Sequence, residues 1–108
     1  MTRRRVAITG LGIVSPSGDG VDAFFAHLLA GRSAVRFLQT EDKPRPLAMP
    51  FVGCSAFDPN AALGKPLAGM MERFAHLGVS AACDAWHDAG LARQAAAPAE
   101  REQWACIW

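Results

Sequence analysis

Three groupings of residues in this 108-residue chain have types and spacings that could do chemistry. The first is Gly10-x-Gly12, directly after the apolar run Val6-Ala7-Ile8-Thr9. A strand followed by such a pair opens the dinucleotide-binding fingerprint, where glycines let the backbone close on a pyrophosphate at a helix N-terminus. That fingerprint requires a third glycine at position 15 and a helix starting at the second glycine. Ser15-Pro16 stands there instead, and Val14 occupies the position where the short-chain dehydrogenase variant requires glycine. A nucleotide-binding oxidoreductase is therefore only a distant alternative. Without a phosphate to hold, two missing Cβ atoms mark a place where the chain turns or lets another group approach.

The second grouping is His76, Cys83 and His87, which fall within about 40° of each other around a helix axis, with Glu72 nearby. Cys83 and His87 at i, i+4 have the ligand types that suit zinc. A structural site needs a fourth ligand, and no second cluster supplies one, so no metal is expected and these residues read as a polar, partly packed helix face. The third grouping is the cysteines, Cys54, Cys83 and Cys106. None lies at the turn-to-helix position that activates a thiolate. All three read as ordinary interior or interface residues. They form no Cys-x-x-Cys pair and are odd in number, which argues against a disulfide framework and for a reducing compartment.

The elements that must position these residues follow from periodicity. Residues 4–14 read as a near-continuous apolar strand covered on both faces, closed by Pro16 and Gly18. A helix should begin near Asp19, capped by Asp19 or Gly20, with Asp22 complementing its N-terminus. Val21, Phe24, Phe25, Leu28 and Leu29 form its apolar stripe, and Gly31 sits at the expected left-handed end. Residues 33–66 hold five of the seven prolines and read as a long excursion with one short strand at Phe51-Val52-Gly53-Cys54. An ordered excursion of that length usually covers a site or touches a partner. Residues 67–89 read as one long helix, with Leu67, Met70, Met71, Phe74, Gly78, Ala81, Ala82, Ala85 and Ala89 on a single face. The small second half of that face admits close approach by another element. Gly90 ends the helix, residues 94–103 form a polar connector, and Trp104-Ala105-Cys106-Ile107-Trp108 reads as a buried strand.

Composition bounds the rest. The chain is 51% hydrophobic and 19% charged, which is globular, and its net charge of +1 provides no general field for nucleic acid or an anionic membrane. Arg3-Arg4-Arg5 followed by apolar residues resembles a signal peptide only superficially, since Gly10, Gly12 and Pro16 interrupt the run and no cleavage site follows. No stretch reaches the roughly 18 apolar residues of a membrane span. A cytoplasmic location is expected. A chain stopping on an apolar strand, with bare sheet edges, is expected to be the N-terminal part of a larger α/β protein. Made alone, it should be poorly folded or self-associating.

The residues resemble a known family. Arg4-Arg5-Val6-Ala7-Ile8-Thr9-Gly10-Leu11-Gly12-Ile13-Val14-Ser15-Pro16 is similar to the opening of β-ketoacyl-(acyl-carrier-protein) synthases. Leu28-Leu29-Ala30-Gly31-Arg32-Ser33, Phe57-Asp58-Pro59, Met71-Glu72-Arg73-Phe74 and Asp88-Ala89-Gly90-Leu91 resemble later landmarks of the same family, in order. The resemblance implies the N-terminal portion of a thiolase-like fold. In that fold two βαβαβ halves form a layered α-β-α-β-α stack, normally as a homodimer. It implies condensation of an acyl-enzyme thioester with malonyl-carrier protein, releasing carbon dioxide, with no cofactor. The family's nucleophilic cysteine and two histidines correspond to no position in residues 1–108, so no catalytic residue is carried over. The family's basic pair for docking the acidic carrier protein falls on Gly69 and Met70, which leaves Lys65 and Arg73 as docking candidates. That departure keeps open a non-catalytic chain-length-factor partner of the same fold, which would pair with a related synthase as a heterodimer.

Overall fold

The computed structural model describes residues 5–38, 48–91 and 105. From residue 5 the chain runs outside helix and strand into a minimal antiparallel hairpin, β1 (Val14–Ser15) and β2 (Gly18–Asp19), with Val14 opposite Asp19 and Ser15 opposite Gly18. The Ser15 hydroxyl ties the Pro16-Ser17 turn. Its Oγ donates to the Gly18 carbonyl at 2.9 Å and accepts from the Ser17 N–H at 3.1 Å. Gly18, at φ 125°, has the turn conformation that side chains disfavour.

Helix α1 (Val21–Leu29) follows, with Gly20 as its N-cap and Asp22 in its first turn. Its end is a Schellman motif: the Gly31 N–H reaches the Leu28 carbonyl, the Arg32 N–H reaches that of His27, and Gly31 sits at φ 62°. The expected apolar stripe is in place but covers little, since no residue of α1 is buried. Next come β3 (Val35–Phe37) and β4 (Phe51–Gly53), paired antiparallel with Arg36 opposite Val52. The short strand expected at 51–54 is thus β4. Its partner β3 was hidden by a three-residue length that carries no readable alternation.

The end of the excursion is helical. Helix α2 (Pro59–Leu63) starts at Asp58, whose Oδ1 accepts the Asn60 N–H at 2.9 Å, with Pro59 in the first turn. One-turn helix α3 (Lys65–Ala68) is separated from it by Gly64. Helix α4 (Arg73–Asp88) then runs to a second Schellman motif at Gly90.

Two expectations are corrected here. The single helix over 67–89 breaks at 69–72, where Glu72 is extended at the N-cap position of α4. The break lets Ala68 fold back on α4, so both Ala68 and His76 are buried, and it removes Leu67 and Met70 from the helical stripe. The strand over 4–14 is paired only at Val14–Ser15. Among the described residues no strand pairs with residues 5–13, although the Ile13 carbonyl accepts the Gly20 N–H at 2.9 Å, and Val6 and Ile8 are 95% and 82% exposed. Their apolar character marks a surface still to be covered, while Gly10 and Gly12 are committed elsewhere. The connector over 94–103 lies outside the described residues, as does the strand over 104–108 apart from Ala105.

The buried centre is small. Phe57, Ala68, His76 and Ser80 meet where the segment before α2, α3 and the first half of α4 come together. Helix α2 packs on α3 and α4, β1 packs on α4, and α1 packs on β2.

Candidate functional site

The glycine pair shows its role in what its missing side chains would strike. A Cβ at Gly10 would run into the Ala85 carbonyl and lie 2.7 Å from the Ala89 nitrogen. One at Gly12 would run into the Ala81 carbonyl and lie 2.6 Å from the Ala85 nitrogen. The extended segment lies backbone against backbone on Ala81, Ala85 and Ala89, one stripe at i, i+4, i+8 of α4. Between the two glycines, the Leu11 N–H donates to Asp88 Oδ2 at 2.8 Å. That bond pairs the one backbone donor between them that faces the helix end. The small face of α4 and the glycine pair, read separately in the sequence, are two halves of one seam.

The proposed metal-like trio is dispersed. His76 is buried with Nε2 2.8 Å from the Ala68 carbonyl, whereas Cys83 and His87 are exposed. Among the described residues no three His, Cys, Asp or Glu side chains are grouped to hold an ion. Cys54 and Cys83 are exposed free thiols, which corrects the interior half of that reading. Cys106 lies outside the described residues. Cys83 and His87 instead line an open cleft of about 540 Å³ between α2–α3 and α4, floored by Leu63, Leu67, Val79 and Trp86.

The two candidate docking residues are placed differently. Lys65 opens α3 and is exposed. Arg73 opens α4, and its guanidinium is turned onto the preceding chain. Nη1 donates to the Phe57 carbonyl at 2.8 Å, Nη2 donates to that of Ser55 at 3.1 Å, and Cζ lies 5.6 Å from the Phe57 ring centroid. Met70 is 83% exposed. Sequence reasoning missed the roles of Asp58, Asp88 and His76. The Asp58-Pro59 pair is a readable helix start, but nothing local announces that Asp88 or His76 reaches a distant backbone group.

A glycine-bearing segment seated on the small face of α4, followed by the corner of α2 and α3, is the frame these residues build. Residues 3–107 match the family described as β-ketoacyl synthase, N-terminal domain, and the chain belongs to that family. It is 35% identical over 91 residues to the 3-oxoacyl-[acyl-carrier-protein] synthase 2 of Coxiella burnetii, covering 84% of this chain and 22% of that protein. The synthase 2 of Vibrio cholerae is 34% identical over 92 residues, covering 84% of this chain and 22% of that one. The tetracenomycin polyketide synthase ketoacyl synthase alpha subunit of Streptomyces glaucescens is 38% identical over 95 residues, again covering 84% of this chain and 22% of its own. The chain therefore spans about a fifth of the length of these curated relatives. Among the described residues no helix is long and apolar enough to cross a membrane.

Proposed function

We propose that this chain is the opening segment of a β-ketoacyl-(acyl-carrier-protein) synthase acting in fatty acid or polyketide-like assembly. The reaction is decarboxylative Claisen condensation. The malonyl unit loses carbon dioxide, its α-carbon forms a bond to the acyl carbonyl carbon, and the acyl–sulfur bond breaks to return the enzyme thiol. The observation that carries this reading is the family match over residues 3–107.

The segment contributes frame and not reacting groups. Residues 1–108, made alone, are inactive in this reading, because the thiolate and histidines that the reaction needs have no counterpart among them. The layered thiolase-like stack, the cytoplasmic location and assembly as a dimer belong to the same proposal. Val6 and Ile8, open in the extended segment, are suited to a sheet of that stack. The partner is an acidic acyl carrier protein, met by Lys65 as an exposed cation and by Arg73 at the head of α4.

The test is an assay of the protein expressed from its full reading frame with acyl- and malonyl-carrier protein. Release of carbon dioxide together with a β-ketoacyl product is expected. Carrier binding and dimerisation with a second synthase, without turnover, would replace this reading with the non-catalytic partner.

A further inference from the structure

Helix α3 has four residues, well below the roughly 12–15 at which an isolated helix becomes marginally stable in water. Its capping residues close it at both ends, with the Ala68 N–H on the Gly64 carbonyl and the Gly69 N–H on that of Lys65. Something outside it must hold it, and α4 does. Ala68 is buried, and its carbonyl, which accepts the Met71 N–H at 3.3 Å, also lies 2.8 Å from His76 Nε2. A carbonyl only accepts, so Nε2 carries the hydrogen. Nδ1, buried and with no hydrogen-bond partner among the described residues, is then the lone-pair nitrogen. One turn earlier on α4, Arg73 grips the carbonyls of Ser55 and Phe57. The first turn of α4 therefore holds the chain on both sides of α2.

We propose that His76 is a positioning residue for Lys65: its Nε2–H fixes α3 against α4 and so sets where the exposed lysine stands for an acidic carrier protein. Arg73 performs the matching task on residues 55–57 with two of its five N–H donors. This inference rests on the carrier-docking reading above, and its test separates the two.

The variants are His76→Leu, which fills the space without a donor, and His76→Gln, which keeps an N–H at comparable reach, both in the protein at its full natural length. Amide hydrogen exchange at Ala68 and Gly69 should quicken about tenfold in H76L, the size of one lost bond to a buried acceptor, and stay near native in H76Q. Affinity for purified holo-acyl carrier protein should fall about tenfold in H76L with its salt dependence retained, and recover in H76Q. Lys65→Glu should weaken binding and flatten the salt dependence. Unchanged exchange in H76L overturns the clamp. Faster exchange with unchanged carrier affinity overturns positioning. If H76L loses its cooperative melt, H76Q decides, native-like exchange and affinity supporting the proposal and weakened binding overturning it. Unaltered binding by Lys65→Glu removes the docking reading while the exchange result still judges the clamp.

Discussion

Helix α1 with its β3–β4 neighbour and the corner of α2, α3 and α4 carry comparable apolar content and reach opposite ends. In the first region Phe25, Leu28 and Leu29 line up at helical spacing, and Phe37 meets Phe51 edge-on at 5.7 Å. All five remain more than half exposed. In the second region the buried residues are Phe57, Ala68, His76 and Ser80, two of them polar. What separates the regions is close backbone approach and bonding that reaches buried groups: the Arg36 bond to the Cys54 carbonyl in the first is exposed at 3.3 Å, and the His76 bond in the second is buried at 2.8 Å. The corner has the Arg73 fork, the His76 bond and the Asp58 cap, and α4 receives the glycine segment. The α1 and β3–β4 region has large side chains with no neighbouring layer among the described residues. Apolar area stabilises only when something covers it.

Substitutions sharpen this contrast, and the seam should yield the largest effect. Gly12→Val would drive a branched side chain into the Ala81 carbonyl and the Ala85 nitrogen, both backbone and unable to move aside. A loss of about 3 kcal/mol is expected from chemical denaturation, and a loss near zero would mean that the segment is not seated on α4. Arg73→Met keeps the stem and removes two donors from the Ser55 and Phe57 carbonyls. It should cost about 2 kcal/mol in the same measurement. Asp58→Ala removes the cap of α2 and should cost about 1 kcal/mol, read as a lower denaturation midpoint with helicity reduced slightly. Phe51→Ala, in the exposed hairpin, should cost only about 0.5 kcal/mol. A cost equal to that of Arg73→Met would show that the aromatic pair is covered after all, and the two regions would cease to differ.

The sequence was most legible where local chemistry decides. Gly31 and Gly90 end their helices as expected, and both take the left-handed conformation that the ends require. The Ala81, Ala85 and Ala89 stripe correctly announced a close approach. Legibility failed where distant groups decide. The break at 69–72 comes from Ala68 and His76 satisfying each other across eight positions, which periodicity cannot register, since Leu67 through Ala89 keep helical spacing throughout. The run over 4–14 has the composition of a buried strand, but a strand is defined by its partner, and pairing begins only at Val14. Of the candidate site residues, the exposure of Lys65 was readable from its charge. The turning of Arg73 onto two carbonyls was not, because a surface cation and a backbone clamp look alike in one dimension.

The most direct test of the account is a nuclear Overhauser experiment on the glycine pair, because that seam alone seats residues 10–12 on α4 by close backbone approach. Cross-peaks from the Gly12 α-protons to Ala81 and Ala85, and from those of Gly10 to Ala85 and Ala89, are the predicted result, together with a Leu11 amide protected from exchange. Glycine α-protons at unstructured-chain shifts, with no contact to α4 and an unprotected Leu11 amide, would contradict it.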